Sequence, residues 1–185
     1  RRDLRTIPCF TIDPHDAKDF DDAISVNQIN GDVYEIGVHI ADVSHYIKEG
    51  SSLDQEAFER GCSVYLENEV IPMIPEKLSN KICSLRPKED KLCFSVVFKF
   101  SKNGTILDSW IGKTIINSDY RLTYQEAQDI INGSNHKLKT EINLLHRFSQ
   151  KLRKKRIQNG SVMIRQEDVR ILFDNKGRPI KAATK

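Results

Sequence analysis

Five aspartates, Asp13, Asp16, Asp19, Asp21 and Asp22, fall within ten residues, and Lys18 is the only Lys or Arg among them. Carboxylates crowded this closely repel one another, and a raised proton affinity or a bound cation relieves the repulsion. Short, hard, all-oxygen ligands suit magnesium or manganese, whereas zinc prefers His and Cys. Two such ions about 4 Å apart activate a water and stabilise the leaving oxygen of a phosphodiester. A calcium loop of the D-x-[DN]-x-[DN]-G-x5-E kind does not fit, because no Gly and no terminal Glu stand at the required offsets. The plain alternative is a solvated acidic turn, since acidic side chains mostly stay at the surface.

Chemistry needs these side chains at one point, so the flanking elements matter. Residues 7–12 and 23–29 read as short strands. Asp13 then ends one strand, Asp19, Asp21 and Asp22 lead into the next, and Phe20 and Ala23 are apolar anchors for the loop between them. Asn30-Gly31-Asp32 is a turn into a strand over 33–40, which makes a hairpin. A helix is expected over 52–61, ended by Gly61, and Pro75 suits the first turn of a short helix around Glu76–Lys81. Strands over 92–100 and 105–117 are joined by Ser101-Lys102-Asn103-Gly104. Thr123 and Glu126 form a capping box that opens a helix to Asn132, closed by Gly133. Leu138, Ile142, Leu145, Phe148 and Leu152 recur at helical spacing and predict one amphipathic helix over 137–159. A last hairpin is expected from 162–173 and 178–183. The fold class that follows is α+β: a mixed, largely antiparallel sheet with helices packed against one face.

Composition bounds the rest. The chain has 185 residues, 38% hydrophobic and 30% charged, which supports a globular core and excludes wholesale disorder or a fibrous repeat. No apolar run approaches the roughly 18–20 residues that span a bilayer. The start, RRDLRTIPCF, lacks a signal-peptide pattern. Cys9, Cys62, Cys83 and Cys93 form no C-x-x-C pair and sit in apolar surroundings, so they read as buried, reduced thiols of a cytoplasmic protein. Net charge is +3, yet residues 1–50 hold five Lys/Arg against ten Asp/Glu, and residues 51–185 hold twenty-four against sixteen. An acidic site in a basic body suits an enzyme that meets a polyanion through bound cations. Chance clustering of ordinary surface charge explains the same count.

The segment TIDPHDAKDFDDAISV, with its D-x5-D-x-D-D spacing, resembles the signature of the ribonuclease II and ribonuclease R family, the RNB catalytic domain. The likeness continues through VHIADVSHYIKEGSSLDQEAFERGCSVYL and VIPMIPEKLSNKICSLRPKEDKLCFSV, and more loosely through RLTYQEA. Within the family the bacterial ribonuclease R branch looks the closer match. The resemblance implies a 3′-to-5′ exoribonuclease that cuts single-stranded RNA to nucleoside 5′-monophosphates with Mg2+, or with Mn2+ in its place. It implies Asp13, Asp19 and Asp22 as the metal-binding aspartates and Asp21 as the one on which hydrolysis most depends. Tyr65 matches an aromatic that stacks on nucleotides at the RNA 3′ end, and Tyr124 a tyrosine associated with the sugar at the scissile position. Asp16 is not among the family's four and reads as a solvated loop residue. The family's full enzymes carry OB-fold RNA-binding modules on both sides and an arginine-rich segment further along the catalytic domain. Residues 1–185 therefore read as the N-terminal portion of one catalytic domain without its flanking OB folds, a fragment expected to be inactive alone. No obligate protein partner and no membrane are expected.

Other features read as structural. His39 is expected to be a satisfied strand histidine, and Asp42 a cap or turn residue. Lys151, Arg153, Lys154, Lys155 and Arg156 favour a helix C-terminus and read as its solvated end. Two rivals stand beside the nuclease reading: an RNA-binding module of the same fold with a dead centre, and a convergent magnesium phosphohydrolase. The intact set of four aspartates weighs against the first and the length of the match against the second.

Overall fold

The computed structural model describes residues 1–66, 69–162, 164, 169–174 and 177–184. Its centre is a seven-stranded sheet in the order β1-β8-β7-β4-β3-β2-β9. The strands are β1 (Arg2–Asp3), β2 (Cys9–Asp13), β3 (Asp22–Asn30), β4 (Val33–Ala41), β7 (Asp90–Ser101), β8 (Ile106–Asn117) and β9 (Tyr120–Thr123). Outside it lie two small hairpins, β5 (Val64–Tyr65) with β6 (Val70–Ile71), and β10 (Val169–Phe173) with β11 (Pro179–Thr184). The edge pairs β1–β8 and β2–β9 are parallel, and every other pair in the large sheet is antiparallel. The helices are α1 (Val43–Tyr46), α2 (Ser52–Arg60), α3 (Tyr124–Ile131) and α4 (Lys139–Gln158). Among the described residues no helix is long and apolar enough to cross a membrane.

Strand alternation sends successive side chains to opposite faces, and both faces are buried. On one face Phe10 and Leu122 meet Ile130 of α3 and Ile142 of α4, and Val26, Ile36 and Phe100 meet Leu144 and Phe148. Burying each such side chain stabilises the fold by roughly 1.5–3 kcal/mol. The expectation of helices on one face therefore holds for α3 and α4. The opposite face is covered as well, by Phe20, Cys83 and Leu85 from connecting segments and by Val43 and Tyr46 of α1. The capping box at Thr123 and Glu126 is present. The short helix expected around Glu76–Lys81 is a π-helical turn over Leu78–Ile82, beyond the Pro75 carbonyl that accepts from Leu78 and Ser79. Of the expected last hairpin, positions 163, 165–168 and 175–176 lie outside the described residues.

Two side-chain readings change. Cys62 is exposed; Cys9, Cys83 and Cys93 are buried. It follows Gly61, the residue that ends α2, so no strand carries it inward. Asp42 sits at the start of α1 but makes no side-chain cap bond. Its carboxylate takes Arg1 at 2.7 Å, Lys113 at 3.6 Å and the Ser44 hydroxyl at 2.8 Å. The basic end of α4 is exposed, as its composition predicts.

His39 is fully buried, and its ring links three neighbouring strands. Its Nε2 lies 2.8 Å from Ser25 Oγ and its Nδ1 2.8 Å from Ser95 Oγ, which in turn lies 2.6 Å from Thr114 Oγ1. A chain of hydrogen bonds thus crosses β3, β4, β7 and β8 inside the core. Gly37 makes room for it: a Cβ there would stand 2.5 Å from both His39 Nε2 and Ser25 Oγ.

Burial lowers the His39 pKa from 6.5 to about 4. The unfolded chain takes up this proton near 6.5 and the fold resists it, so the stability tied to the neutral ring is complete above that pH. It is lost as pH falls towards 4. Urea titrations at pH 7 and pH 4.5 should show wild type losing up to about 3 kcal/mol more than His39→Gln, which has no proton to gain. Gly37→Ala should destabilise at both pH values.

Candidate active site

The loop from Pro14 to Asp21 joins β2 to β3, so the carboxylates ride on two strand ends and the turn between them. The loop is held by its backbone. The Phe20 N–H donates to Ser84 Oγ at 3.0 Å, and the same hydroxyl donates to the Lys18 carbonyl at 2.9 Å. The Leu85 N–H donates to the Phe20 carbonyl and the Ala41 N–H to the Asp21 carbonyl. Arg121 Nη2 donates to the Pro14 and His15 carbonyls at 2.6 and 2.7 Å, and its guanidinium lies 5.5 Å from the centre of the Phe20 ring. Phe20 and Ala23 are buried in the core, as the sequence predicts, and anchor the loop from below.

The carboxylates themselves are left unneutralised. Asp13 is 9% exposed, and its Oδ2 is buried without a hydrogen-bond partner. Burial raises its pKa; Asp22 and Asp19 add to the rise, while the nearby Thr11 hydroxyl (short of hydrogen-bonding geometry) and Arg121 oppose it. Asp21 keeps a solvent-facing side, yet burial of the remainder and the charges of Asp19, Asp22 and Asp13 raise it too. The four aspartates thus lie within one electrostatic neighbourhood. Asp16 is exposed and takes no part in it.

Tyr65, on β5, is 69% exposed, and its hydroxyl donates to Asp19 Oδ2 at 3.4 Å. Val64, Leu66, Val70 and Ile71 around it are exposed as well. Tyr124 is 58% exposed and opens α3, one residue beyond the Thr123 that pairs with Asp13 across β9 and β2. Neither tyrosine is a packing residue of the core. Sequence reasoning missed Ser84 and Arg121. A buried serine in ICSLRP carries no local signal, and the role of Arg121 depends on a parallel pairing between chain segments more than a hundred residues apart.

The donor set fits a hard divalent cation in its chemistry: oxygens only, mutually repelling, one of them buried and unpartnered. As the side chains stand, no group of three or more His, Cys, Asp or Glu among the described residues is placed to hold a metal ion.

A family model described as the RNB domain matches residues 1–185. The chain belongs to the RNB domain family. The ribonuclease R of Chlamydia pneumoniae is 42% identical over 97% of this chain and 27% of its own length. The DIS3-like exonuclease 2 of Schizosaccharomyces pombe is 41% identical over 98% of this chain and 21% of its own. RNB proteins of both kinds therefore match about equally well. The structure of Mycoplasma genitalium RNase R in complex with ribose methylated single-stranded RNA superposes with a TM-score of 0.92 at 30% identity, over 100% of this chain and 30% of that one. A relative in Arabidopsis thaliana, 38% identical over 100% of this chain and 19% of its own length, is named an inactive exonuclease DIS3L2. The chain thus spans about a fifth to a quarter of the length of the curated relatives it matches.

Because Ser84 alone satisfies both the Phe20 N–H and the Lys18 carbonyl, Ser84→Ala should cost about 1–3 kcal/mol in urea unfolding. Amide exchange at Phe20 should quicken more than exchange within β7.

Proposed function

We propose that the protein to which this chain belongs hydrolyses single-stranded RNA from its 3′ end and releases nucleoside 5′-monophosphates. The observation that carries this reading is the set of four unneutralised aspartates on one clamped loop of an RNB fold, with a buried, unpartnered oxygen on Asp13. Asp13, Asp19 and Asp22 would hold Mg2+, or Mn2+ in its place. Such an ion, when bound, polarises the scissile phosphate and stabilises the leaving oxygen. Asp21 orients the attacking water, whose oxygen bonds to phosphorus as the 3′ oxygen of the preceding nucleotide leaves with a proton. Tyr65 supplies an exposed ring, and stacking is a sequence-independent way to hold the terminal bases. Tyr124 stands beside the β2 end of the site, where the sugar of the scissile nucleotide would lie. Three buried thiols among four cysteines suit a reducing, cytoplasmic setting.

Asp21→Asn in the full-length protein tests the chemistry. The swap is nearly isosteric and removes one charge where the water is oriented. Single-turnover release from labelled single-stranded RNA with magnesium present should fall at least about 100-fold. The affinity in a parallel gel-shift titration should stay near wild type, because stacking and basic groups hold the RNA. Hydrolysis within tenfold of wild type would make Asp21 dispensable and the mechanism wrong. Binding without hydrolysis by the wild-type protein would establish the RNA-binding module instead.

Tyr65→Ala should weaken the hold on the 3′ end by about 1–3 kcal/mol and lengthen the limit product more than it slows cleavage. An unchanged product ladder would assign Tyr65 elsewhere.

A further inference from the structure

Arg121 is an arginine beside an acidic cluster, yet among the described residues no salt bridge joins it to any of the aspartates. It stands on β9 directly opposite Thr11, on the same face as Asp13, two residues further along β2. The expected partner for such a guanidinium is the Asp13 carboxylate. The two do not pair through their buried atoms: Arg121 Nε and Asp13 Oδ2 are both buried and both without a hydrogen-bond partner. Both hydrogen bonds of the side chain run instead from Nη2 to main-chain carbonyls, those of Pro14 and His15, the first two residues of the loop. Its guanidinium carbon lies over the Phe20 ring, 5.5 Å from the ring centre, at the loop's far end. One side chain therefore ties both ends of the loop to β9 and leaves the Asp13 oxygen unused.

We infer that Arg121 is a positioning residue: it fixes the backbone of the Pro14–Asp21 loop, so that only the side chains of Asp13, Asp19 and Asp22 need to adjust when a divalent cation binds. The inference rests on the metal-site reading above, and it separates from a purely electrostatic role by its sign. A guanidinium near a cation site repels the cation, so if charge were all that mattered, removing it would tighten metal binding. If Arg121 holds the loop, removing it frees carboxylates that must then be reordered, and metal binding weakens.

The test uses the full-length protein and Mn2+ as the probe, with free Mn2+ counted by electron paramagnetic resonance during titration. Arg121→Gln should bind Mn2+ about tenfold more weakly than wild type, the usual effect of losing a group that orients metal ligands. Arg121→Lys, which keeps the charge but reaches only one carbonyl, should fall between the two. RNA affinity in EDTA should not change. In the hydrolysis assay the half-saturating magnesium concentration should rise, and the rate at saturating magnesium should largely recover. Unchanged or tighter Mn2+ binding by folded Arg121→Gln overturns the inference, as does a rate loss that magnesium does not restore. If Arg121→Gln does not fold, wild-type Mn2+ affinity in Arg121→Lys overturns it equally. Wild-type protein that binds Mn2+ yet leaves RNA intact overturns the exoribonuclease reading alone, and the manganese comparison still decides the role of Arg121.

Discussion

The β2–β3 junction carries one electrostatic burden: the charges of Asp19 and Asp22 act on Asp13 and Asp21, and among the described residues no salt bridge relieves them. Two unit charges 4 Å apart at a protein surface repel by about 4 kcal/mol, so a loose loop would spread them. The chain holds the loop with hydrogen bonds to main-chain atoms, from Ser84, Leu85, Ala41 and Arg121, and with the buried Phe20 and Ala23 side chains. Asp42 in the same fold shows the opposite solution. Its side chain is 2% exposed, and although burial alone would raise its pKa, Arg1, Ser44 and Lys113 together hold it below the usual carboxylate range. The buried structural acid is paired and its pKa lowered, whereas Asp13 has an unpaired oxygen and its pKa is raised. That contrast marks the loop acids as kept for something other than stability.

The clamps hold only if the strands that bear them are rigid. Phe20, Ala23, Leu85 and Cys9 pack in a single cluster, so the loop shares its anchor with the sheet core. β2 is paired on both sides, antiparallel to β3 and parallel to β9, which fixes Asp13 in register with Thr123 and sets Arg121 beside Thr11. Further in, the Ser25–His39–Ser95–Thr114 chain ties the four neighbouring strands, and Gly37 is the one residue small enough to lie under the His39 ring. Stability runs outward from this buried network to the loop, and the loop passes it on to the acids.

Much of this was legible in the residues. Turn chemistry at Asn30-Gly31-Asp32 and Ser101–Gly104 and the Thr123–Glu126 box are local signals, and β3–β4, β7–β8 and α3 stand where they predict. The satisfied state of His39 also follows from a lone polar side chain on an apolar strand. What stayed hidden was long-range. Nothing near Pro75 signals a π-helical turn, and nothing near Cys62 shows that it lies on the surface. Pairing of β9 with β2 brings Arg121 to Pro14 across 107 positions, and no periodicity reports that. At the site the aspartates were legible by count and spacing, whereas the clamps were not, because Ser84 and Arg121 act through main-chain atoms that leave no pattern in side-chain types.

The separation of clamp from carboxylate also bears on how this fold relates to activity. None of the bonds that hold the loop uses an aspartate side chain, so replacing Asp13, Asp21 or Asp22 by a neutral residue removes repulsion without removing a support. The fold and the exposed Tyr65 ring would both survive such a change. A family built this way can lose its chemistry in one substitution and keep its architecture, which is consistent with a relative named as inactive at 38% identity over the whole of this chain. In this chain the loop's place in the fold depends on Ser84, Arg121 and the sheet beneath them. The charges of Asp13, Asp21 and Asp22 are not among the contacts that hold the loop in place.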